Sequence, residues 1–267
     1  LMKSLKCVVY FALCISIFFY LLTACRPEGK GHIVVYVSVD EVYSGSVLHR
    51  FAAEKKIGIL ASFDTEAAKT VGLARRLIAE KRSPRCDVFW SNEFLQTLLL
   101  AGEGLFSPYK GGGPYRLGKE YEDPQKRWAL LGGRVRVLLV RPQAFPEGTF
   151  PSSVFDLASP AFRAKGALAQ PVAGTTLTHF VALYATLGRK KARQFFMNVV
   201  GNRQKIVPGN SVAKDLVLEG EAAFCLTDSD DAQKAVEADP SLKIIVPDQK
   251  QGQIGAFLIV GTVSLIA

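Results

Sequence analysis

Short apolar runs rich in β-branched residues alternate with segments of helical spacing in the first part of the chain. The runs at 32–39, 57–63 and 86–90 each predict a buried strand, and the segments at 65–82 and 91–106 predict amphipathic helices. Strands that alternate with helices in this order are typical of a parallel sheet covered by helices. The pattern therefore predicts an α/β fold.

The pattern continues after a glycine- and proline-rich excursion at 107–128. Further strands are predicted at 134–140, 166–171, 205–207, 222–226, 242–249 and 255–267. Helices are predicted at 176–188, 190–200 and 211–220, and Gly188 separates the first two. The proline-punctuated stretch at 142–162 is a candidate boundary between two lobes.

The first 25 residues differ from the rest in composition. Lys3 and Lys6 precede an apolar run at 7–22, and the sequence then reads LTAC up to Cys25. A basic start, a short apolar core and small residues before a cleavage point indicate a secretory signal. The LTAC ending resembles a bacterial lipobox, which predicts a signal peptide at 1–24, lipidation of Cys25 and a tether at 25–31. A segment that stays in the membrane as an anchor is the alternative, although the run is short for a span.

Composition narrows the possible functions. The formal net charge is +9, which raises the question of nucleic acid. The basic residues are interpreted as scattered over solvated helix faces, and no zinc spacing or aromatic nucleic-acid motif is seen, so no nucleic-acid partner is predicted. Cys86 and Cys225 lie in apolar strand-like runs, and buried free thiols are favoured over a disulfide.

A cluster of carboxylates follows the predicted strand at 222–226. Asp228, Asp230 and Asp231 lie within four residues of sequence. Such a cluster can cap the next helix, with Asp230 or Asp231 as the cap, bind a cation, or present acceptors to an organic ligand. The sequence pattern of these acidic residues alone leaves the three interpretations open. The predicted cap of the helix at 91–106 is Ser91 or Asn92.

Three segments resemble one protein family. Residues 35–57, 86–109 and 209–232 are similar to periplasmic solute-binding proteins of ABC importers, in the ferric-iron-binding group related to the thiamine, polyamine and sulfate binders. The resemblance implies a two-lobed α/β fold of type II with the ligand in a cleft. It assigns 32–140 to the first part of lobe 1, 141–247 to lobe 2 and 248–267 to a return toward lobe 1. The family's C-terminal helices have no counterpart here, so a shortened chain is expected.

The same resemblance makes four loops that follow strands the expected lining of the cleft, where helix N-termini meet the ligand. Their polar residues are the candidate ligand-binding set: Ser38, Asp40, Glu41, Ser91, Asn92, Glu93, Thr175, Thr176, Thr178, Asp228, Ser229 and Asp230.

The expected ligand follows from the resemblance and from the acidic residues. The family's ferric-binding members carry adjacent tyrosines where this chain has Thr227 to Asp231, but carboxylates such as Asp40, Asp228 and Asp230 also suit a hard cation. Ferric iron or its anion complex is the expected transported ligand, with no cofactor. An organic cation such as thiamine or a polyamine is one alternative, and a shortened surface lipoprotein without transport function is another.

Catalysis is not expected, because the sequence lacks a nucleophile elbow, a phosphate loop and a catalytic triad order. The implied partners are an ABC permease with its ATPase subunit, the small ligand, and a bacterial membrane reached through the lipid anchor.

Overall fold

The computed structural model describes residues 31–64, 71–111, 117–145 and 148–267. Its strands are β1 (His32–Val37), β2 (Gly58–Phe63), β3 (Val88–Ser91), β4 (Phe106–Ser107), β5 (Ala129–Val140), β6 (Gly166–Ala169), β7 (Lys205–Val207), β8 (Phe224–Asp228), β9 (Lys243–Ile245) and β10 (Leu258–Ile266). Its α-helices are α1 (Glu41–Lys55), α2 (Val71–Ala79), α3 (Phe94–Gly102), α4 (Gly174–Gly201), α5 (Asn210–Leu218) and α6 (Ser229–Ala238). Short 3₁₀ turns lie at Lys119–Tyr121, Pro142–Ala144, Val154–Ala158 and Pro160–Phe162.

The strands form one continuous path in the order β2-β1-β3-β10-β5-β8-β6-β7. The pairs β1–β2, β1–β3, β6–β7 and β6–β8 are parallel, as the alternating pattern predicts. The strands β10 and β5 run antiparallel to their neighbours in the middle of the path. Two parallel units, each with its own core, are therefore joined by antiparallel strands.

Strand β5 belongs to both units. Its first half pairs with β10 as far as Val135, and from Arg136 onward it pairs with β8. The first lobe is thus built on β2-β1-β3-β10 and the first half of β5, and the second lobe on β8-β6-β7 and the second half. The chain returns to the first lobe between β9, which pairs with β5, and β10.

The second lobe buries both faces of its sheet. Leu138 and Phe224 pack in one apolar cluster, whereas Val137, Leu139 and Cys225 pack in another on the opposite side. Because successive strand residues point to opposite faces, this arrangement produces the continuous apolar runs seen in the sequence. The first lobe has a separate core around the buried ring of Phe89.

Helix α4 bends sharply at Gly188, as the sequence predicts. Gly188 has φ 74° and ψ 161°, a conformation that favours glycine because it has no Cβ. Phe180 and Phe196, sixteen residues apart, stack with ring centroids at 4.9 Å. A straight helix would place them about 24 Å apart, so the two halves of α4 fold onto each other.

Both predicted caps are wrong. Glu93, and not Ser91 or Asn92, caps α3: its carboxylate accepts hydrogen bonds from the amides of Leu95 and Gln96. A Glu side chain reaches these amides because the Glu93 backbone is extended. The residue at the N-cap of α6 is Asp228, so Asp230 and Asp231 lie in the first turn, where the helix dipole favours acidic groups.

Candidate functional site

A cleft lies between the two lobes, at the carboxyl ends of the parallel strands. Its empty volume is about 580 Å³, including space open to solvent. Of the predicted ligand-binding residues, it is lined by Asp40, Asn92, Thr175, Thr176, Asp228 and Asp230. The structure therefore brings residues from all four predicted loops to one place.

Asp228, in the acidic turn after β8, is paired within the protein. Asp228 is buried, and its carboxylate lies 2.7 Å from a guanidinium nitrogen of Arg136. The hydroxyl of Thr175 donates to the other carboxylate oxygen at 2.8 Å, and the amide of Asn210 donates to the same oxygen at 3.2 Å. Asp228 thus has protein partners on both oxygens.

Arg136 organises this network from a fully buried position. Besides Asp228, its guanidinium donates to the side-chain oxygens of Asn210 at 3.0 Å and of Thr176 at 3.2 Å. A buried guanidinium is tolerated only when it is paired and hydrogen-bonded. The three contacts satisfy its terminal nitrogens, whereas its buried Nε has no hydrogen-bond partner in the described structure, and Arg136 links β5 to the starts of α4, α5 and the acidic turn.

A second arginine joins the lobes across the cleft. Arg134 donates to the carboxylate of Asp230 at 3.1 Å and to the main-chain oxygen of Asn92 at 3.4 Å. Its Nε also lies 3.4 Å from Asp228. Asp231, in the same turn, accepts from the hydroxyl of Ser211 at 3.3 Å.

These contacts set the ionisation of Asp228. Burial alone would raise the pKa of Asp228, but the nearby charges of Arg134 and Arg136 and the hydrogen bond from Arg136 hold it below its ordinary value of 3.8. Asp228 is therefore a carboxylate at neutral pH whose charge is already matched by two guanidinium groups.

Sequence reasoning missed Arg134, Arg136 and Asn210. A signal was present: Arg134 and Arg136 are two residues apart in a strand that otherwise reads as apolar, so both point to one face of the sheet. A charged residue repeated on one face of a buried strand requires counter-charges, and the acidic turn supplies them.

Two helices begin at the cleft without a side-chain cap. The N-cap of α4 is Ala173 and that of α5 is Gly209, and neither donates or accepts through a side chain. Both residues line the cleft. The first amides of a helix have no carbonyl of their own helix to donate to, and the helix dipole makes this end positive. Two such ends in one cleft favour an anion.

The remaining predicted residues hold loops in place. The hydroxyl of Thr178 in the second lobe donates to the carboxylate of Glu93 in the first lobe at 2.5 Å. Ser38 and Asn92 are linked by two hydrogen bonds between adjacent loops, and Ser91 donates to the main-chain oxygen of Glu93. Glu41 is exposed at the start of α1.

Burial acts on Glu93 in the opposite sense to its hydrogen bonds. It raises the pKa of Glu93 above the ordinary value of 4.5, although the donors Thr178, Leu95 and Gln96 pull it back. Glu93 thus joins the two lobes while it caps α3.

A wider space adjoins the polar part of the cleft. It measures about 800 Å³ with its solvent-open volume and is lined by the rings of Tyr43 and Trp90, by Ser229, and by Gly132, Gly133 and Gly261. Arg134, Asn92 and Asp230 line both spaces. An organic group could pack against the two rings while a polar group reaches the helix ends.

Metal ligation was predicted for Asp40, Asp228 and Asp230. Among the described residues, the only group of acids close enough to share an ion is Asp228, Asp230 and Asp231, whose ligand atoms lie within 4.8 Å of one another. Asp40 lines the cleft outside that group. Because Asp228 and Asp230 are already ion-paired with arginines, an ion would have to displace those pairs.

The state of the two cysteines and the placement of the N-terminal segment concern the expected export of the protein. Cys86 and Cys225 are both free and buried, in agreement with the expectation of buried thiols. Cys25, the signal peptide and the tether lie outside the described residues, apart from Gly31 at the end of the tether. Among the helices described, none combines the length and apolar character needed to cross a bilayer.

Comparison with known proteins supports the interpretation of the fold as two-lobed. The chain is 24% identical over 149 residues to the Fe(3+)-binding periplasmic protein of Serratia marcescens, an alignment that covers 56% of this chain and 44% of that relative. The chain therefore spans less than half of the length of this relative.

Solved structures show the same fold at low sequence identity. Iron-bound HitA from Pseudomonas aeruginosa aligns with a TM-score of 0.78 at 18% identity, over 88% of this chain and 75% of that one. AfuA from Actinobacillus pleuropneumoniae, a periplasmic binding protein with fructose-6-phosphate bound, aligns with a TM-score of 0.74 at 18% identity, over 90% and 75%. The predicted two-lobed α/β fold is thus confirmed.

The family model for bacterial extracellular solute-binding proteins matches residues 83–256, which is more than half of the chain. This range contains β5, both arginines of the cleft, the uncapped ends of α4 and α5, and the acidic turn. The match agrees with the expectation of a binding protein and not an enzyme. The chain belongs to the bacterial extracellular solute-binding protein family.

Proposed function

We propose that this protein captures a small solute in the interlobe cleft and delivers it to an ABC permease with its ATPase subunit. The observation that carries the proposal is the cleft itself, where the uncapped N-termini of α4 and α5 face residues of the opposite lobe. Contacts such as Thr178 to Glu93 span the lobes, so a ligand that adds to them favours the closed state.

The favoured ligand is a small molecule or complex with an oxyanion group. The helix ends offer amide donors, and Arg134 adds a partly exposed guanidinium beside them. An organic cation is less favoured, because Arg134 and Arg136 already pair with Asp228 and Asp230.

Ferric iron, the ligand expected from the sequence, is the second candidate. Its supporting observation is the group of Asp228, Asp230 and Asp231, since ferric iron is a hard cation that prefers anionic oxygen ligands. An iron–anion complex would satisfy both parts of the cleft, with the anion at the helix ends and the metal on the carboxylates.

A thermal-shift screen of the full-length protein in detergent tests both candidates. The ligands are phosphate, sulfate, sugar phosphates, ferric citrate, ferric iron with carbonate, thiamine and spermidine. The variant Arg134→Gln removes the guanidinium from the cleft. Arg141→Gln is the matched control, because Arg141 contacts main-chain oxygens of α5 at the far end of β5.

Each result assigns or removes a ligand class. A rise in melting temperature with an oxyanion that is lost in Arg134→Gln and kept in Arg141→Gln supports the first candidate. A rise confined to ferric compounds and lost in Asp230→Asn supports iron. A cooperative melt without any shift contradicts both and favours the alternative of a surface lipoprotein without transport function.

Lipid anchoring at Cys25 is also a proposal. It rests on the LTAC motif that follows the apolar run at 7–22. Mass spectrometry of the N-terminal peptide from membranes should show a diacylglyceryl group on Cys25. An unmodified Cys25 preceded by residues 1–24 would contradict it and favour a retained signal anchor.

A further inference from the structure

The excess of positive over negative charge is concentrated in one stretch of the chain. Residues 157–214 hold nine of the 33 Lys and Arg residues and none of the 24 Asp and Glu residues. The rest of the chain therefore carries equal numbers of basic and acidic residues. Most basic residues (24 of 33) lie outside this stretch, but because no acidic residue lies within it, its charge equals the net charge of +9.

Four of these cations follow the bend in α4. Arg189, Lys190 and Arg193 line one shallow depression together with Met197, while Lys191 is also exposed. Among the ion pairs of the described residues, none involves Arg189, Lys190 or Arg193. Because residues 157–214 contain no Asp or Glu, no acidic side chain close in sequence screens the charge of these cations.

Apolar side chains are exposed beside these cations. Met197 is 61% exposed and Val200 is 62% exposed, one helical turn apart. Val200 also borders a groove formed by the two halves of α4 and the exposed edge strand β7, where Ile206 is exposed. Arg189, Lys190, Arg193, Met197 and Val200 are called the cationic face below.

We propose that the cationic face lies against an anionic phospholipid bilayer. Unpaired Lys and Arg side chains attract anionic headgroups, and adjacent exposed apolar side chains enter the boundary between headgroups and acyl chains. An acidic protein partner could contact both the cations and the exposed Met197 and Val200, but the bilayer is favoured because the apolar run at 7–22, as a lipoprotein signal or as an anchor, indicates a chain held at a membrane. A helix with cations and apolar residues on one surface is typical of membrane-surface contact.

This position leaves the cleft accessible. The first half of α4 starts at the cleft and runs from Gly174 to Leu187 before the bend. Fourteen helical residues span about 20 Å, so the start of the cationic face is far from the ligand site. The inference does not depend on which solute the cleft binds.

Quenching of a single added tryptophan by brominated lipid tests the contact. The full-length protein is placed in vesicles of brominated phosphatidylcholine, either alone or mixed with unbrominated phosphatidylglycerol, so that both kinds of vesicle carry the quencher. The variant Met197→Trp carries the probe on the cationic face. Leu98→Trp is the matched control, because Leu98 is an apolar helix residue of the first lobe with 44% exposure. The signal of Trp90 and Trp128 is subtracted with the parent protein.

We expect quenching of the probe at position 197 only in vesicles with the anionic lipid, and none of the probe at position 98. Adding Arg189→Gln, Lys190→Gln and Arg193→Gln should weaken the contact on the order of 100-fold and reduce quenching to the control level. The triple replacement Lys55→Gln, Arg75→Gln and Arg82→Gln on the first lobe should leave it unchanged.

Three outcomes would overturn the proposal. Equal quenching of both probes would mean that proximity through the N-terminal segment explains the signal. Quenching that is the same with and without the anionic lipid would remove the electrostatic basis. No quenching, together with binding of polyglutamate that the Arg189, Lys190 and Arg193 replacements abolish, would assign the face to an acidic protein partner.

Discussion

Two groups of loops in the second lobe's wall of the cleft handle charge in opposite ways. The turn after β8 is rich in carboxylates, yet Arg134 and Arg136 pair with Asp228 and Asp230 from within the protein. The starts of α4 and α5 carry no charged cap, yet their amides face the cleft. Two of the three carboxylates in this turn are thus already paired with guanidinium groups, whereas the uncharged turns present two positive helix ends. Formal charge in the sequence is a poor guide to what a ligand meets.

Removing the buried arginine should have the largest effect. Arg136→Met leaves Asp228 buried with its main counter-charge gone, which should lower the free energy of unfolding by about 3–5 kcal/mol. Urea denaturation measures it. The double variant with Asp228→Asn should recover part of the loss, because the uncompensated carboxylate is then absent. Equal stability of the wild type and Arg136→Met would refute the pairing as described.

The pH dependence of stability should separate the two buried carboxylates. Asp228 has a lowered pKa, so its contribution is present above pH 3.8 and is lost as the pH falls through its folded-state pKa. Glu93 has a raised pKa, so the folded state holds its proton longer, and stability falls as the pH rises above 4.5 through the folded-state pKa. The effect is about 1.4 kcal/mol for each unit of pKa difference.

Urea titrations of the wild type and Glu93→Gln at several pH values isolate the second effect. The wild type should lose stability relative to Glu93→Gln as the pH rises above 4.5. A difference that is constant from pH 4 to pH 8 would mean that Glu93 keeps its ordinary ionisation in the folded protein.

Adding a charged cap at the start of α4 should make this helix end resemble the acidic turn after β8, because its first amides would then have a carboxylate partner. Ala173 has the extended backbone of an N-cap residue, so Ala173→Asp can accept from the first amides of α4. We expect about 1 kcal/mol of added stability without ligand and a weaker response to the oxyanions. Ala173→Asn is the control, because it caps without adding charge. An unchanged oxyanion response in Ala173→Asp would place the anion elsewhere.

The smallest effect on stability is expected for a single cation–π contact between the two lobes. Lys234 in α6 lies 4.1 Å from the ring centroid of Tyr43 in α1, which joins the two lobes. Lys234→Ala should cost about 0.5–1 kcal/mol of closed-state stability and increase the radius of gyration in small-angle scattering. Lys243→Ala is the control, since its contact with Phe150 does not reach the first lobe. An equal change in both variants would rule out a closing role for Lys234.

The sequence predicted those parts of the structure that depend on local periodicity. The strands, the bend at Gly188 and the gathering of four loops followed from apolar patterns and from the family resemblance. The partners of Asp228 did not, because Arg136 is 92 residues away along the chain and is brought close only by the β5–β8 pairing. The Glu93 cap was missed because a Glu side chain reaches the amides only with extended backbone, which the sequence does not display.

The dual membership of β5 has a further consequence. The two arginines that shape the cleft lie on either side of Val135, where the strand leaves one sheet and enters the other. A rotation of one lobe against the other would bend the chain here and at the second crossing, between β9 and β10, and would move the two guanidinium groups relative to each other. If Arg134 contacts the ligand as proposed, a substitution in this part of β5 should alter both ligand binding and the relative position of the lobes.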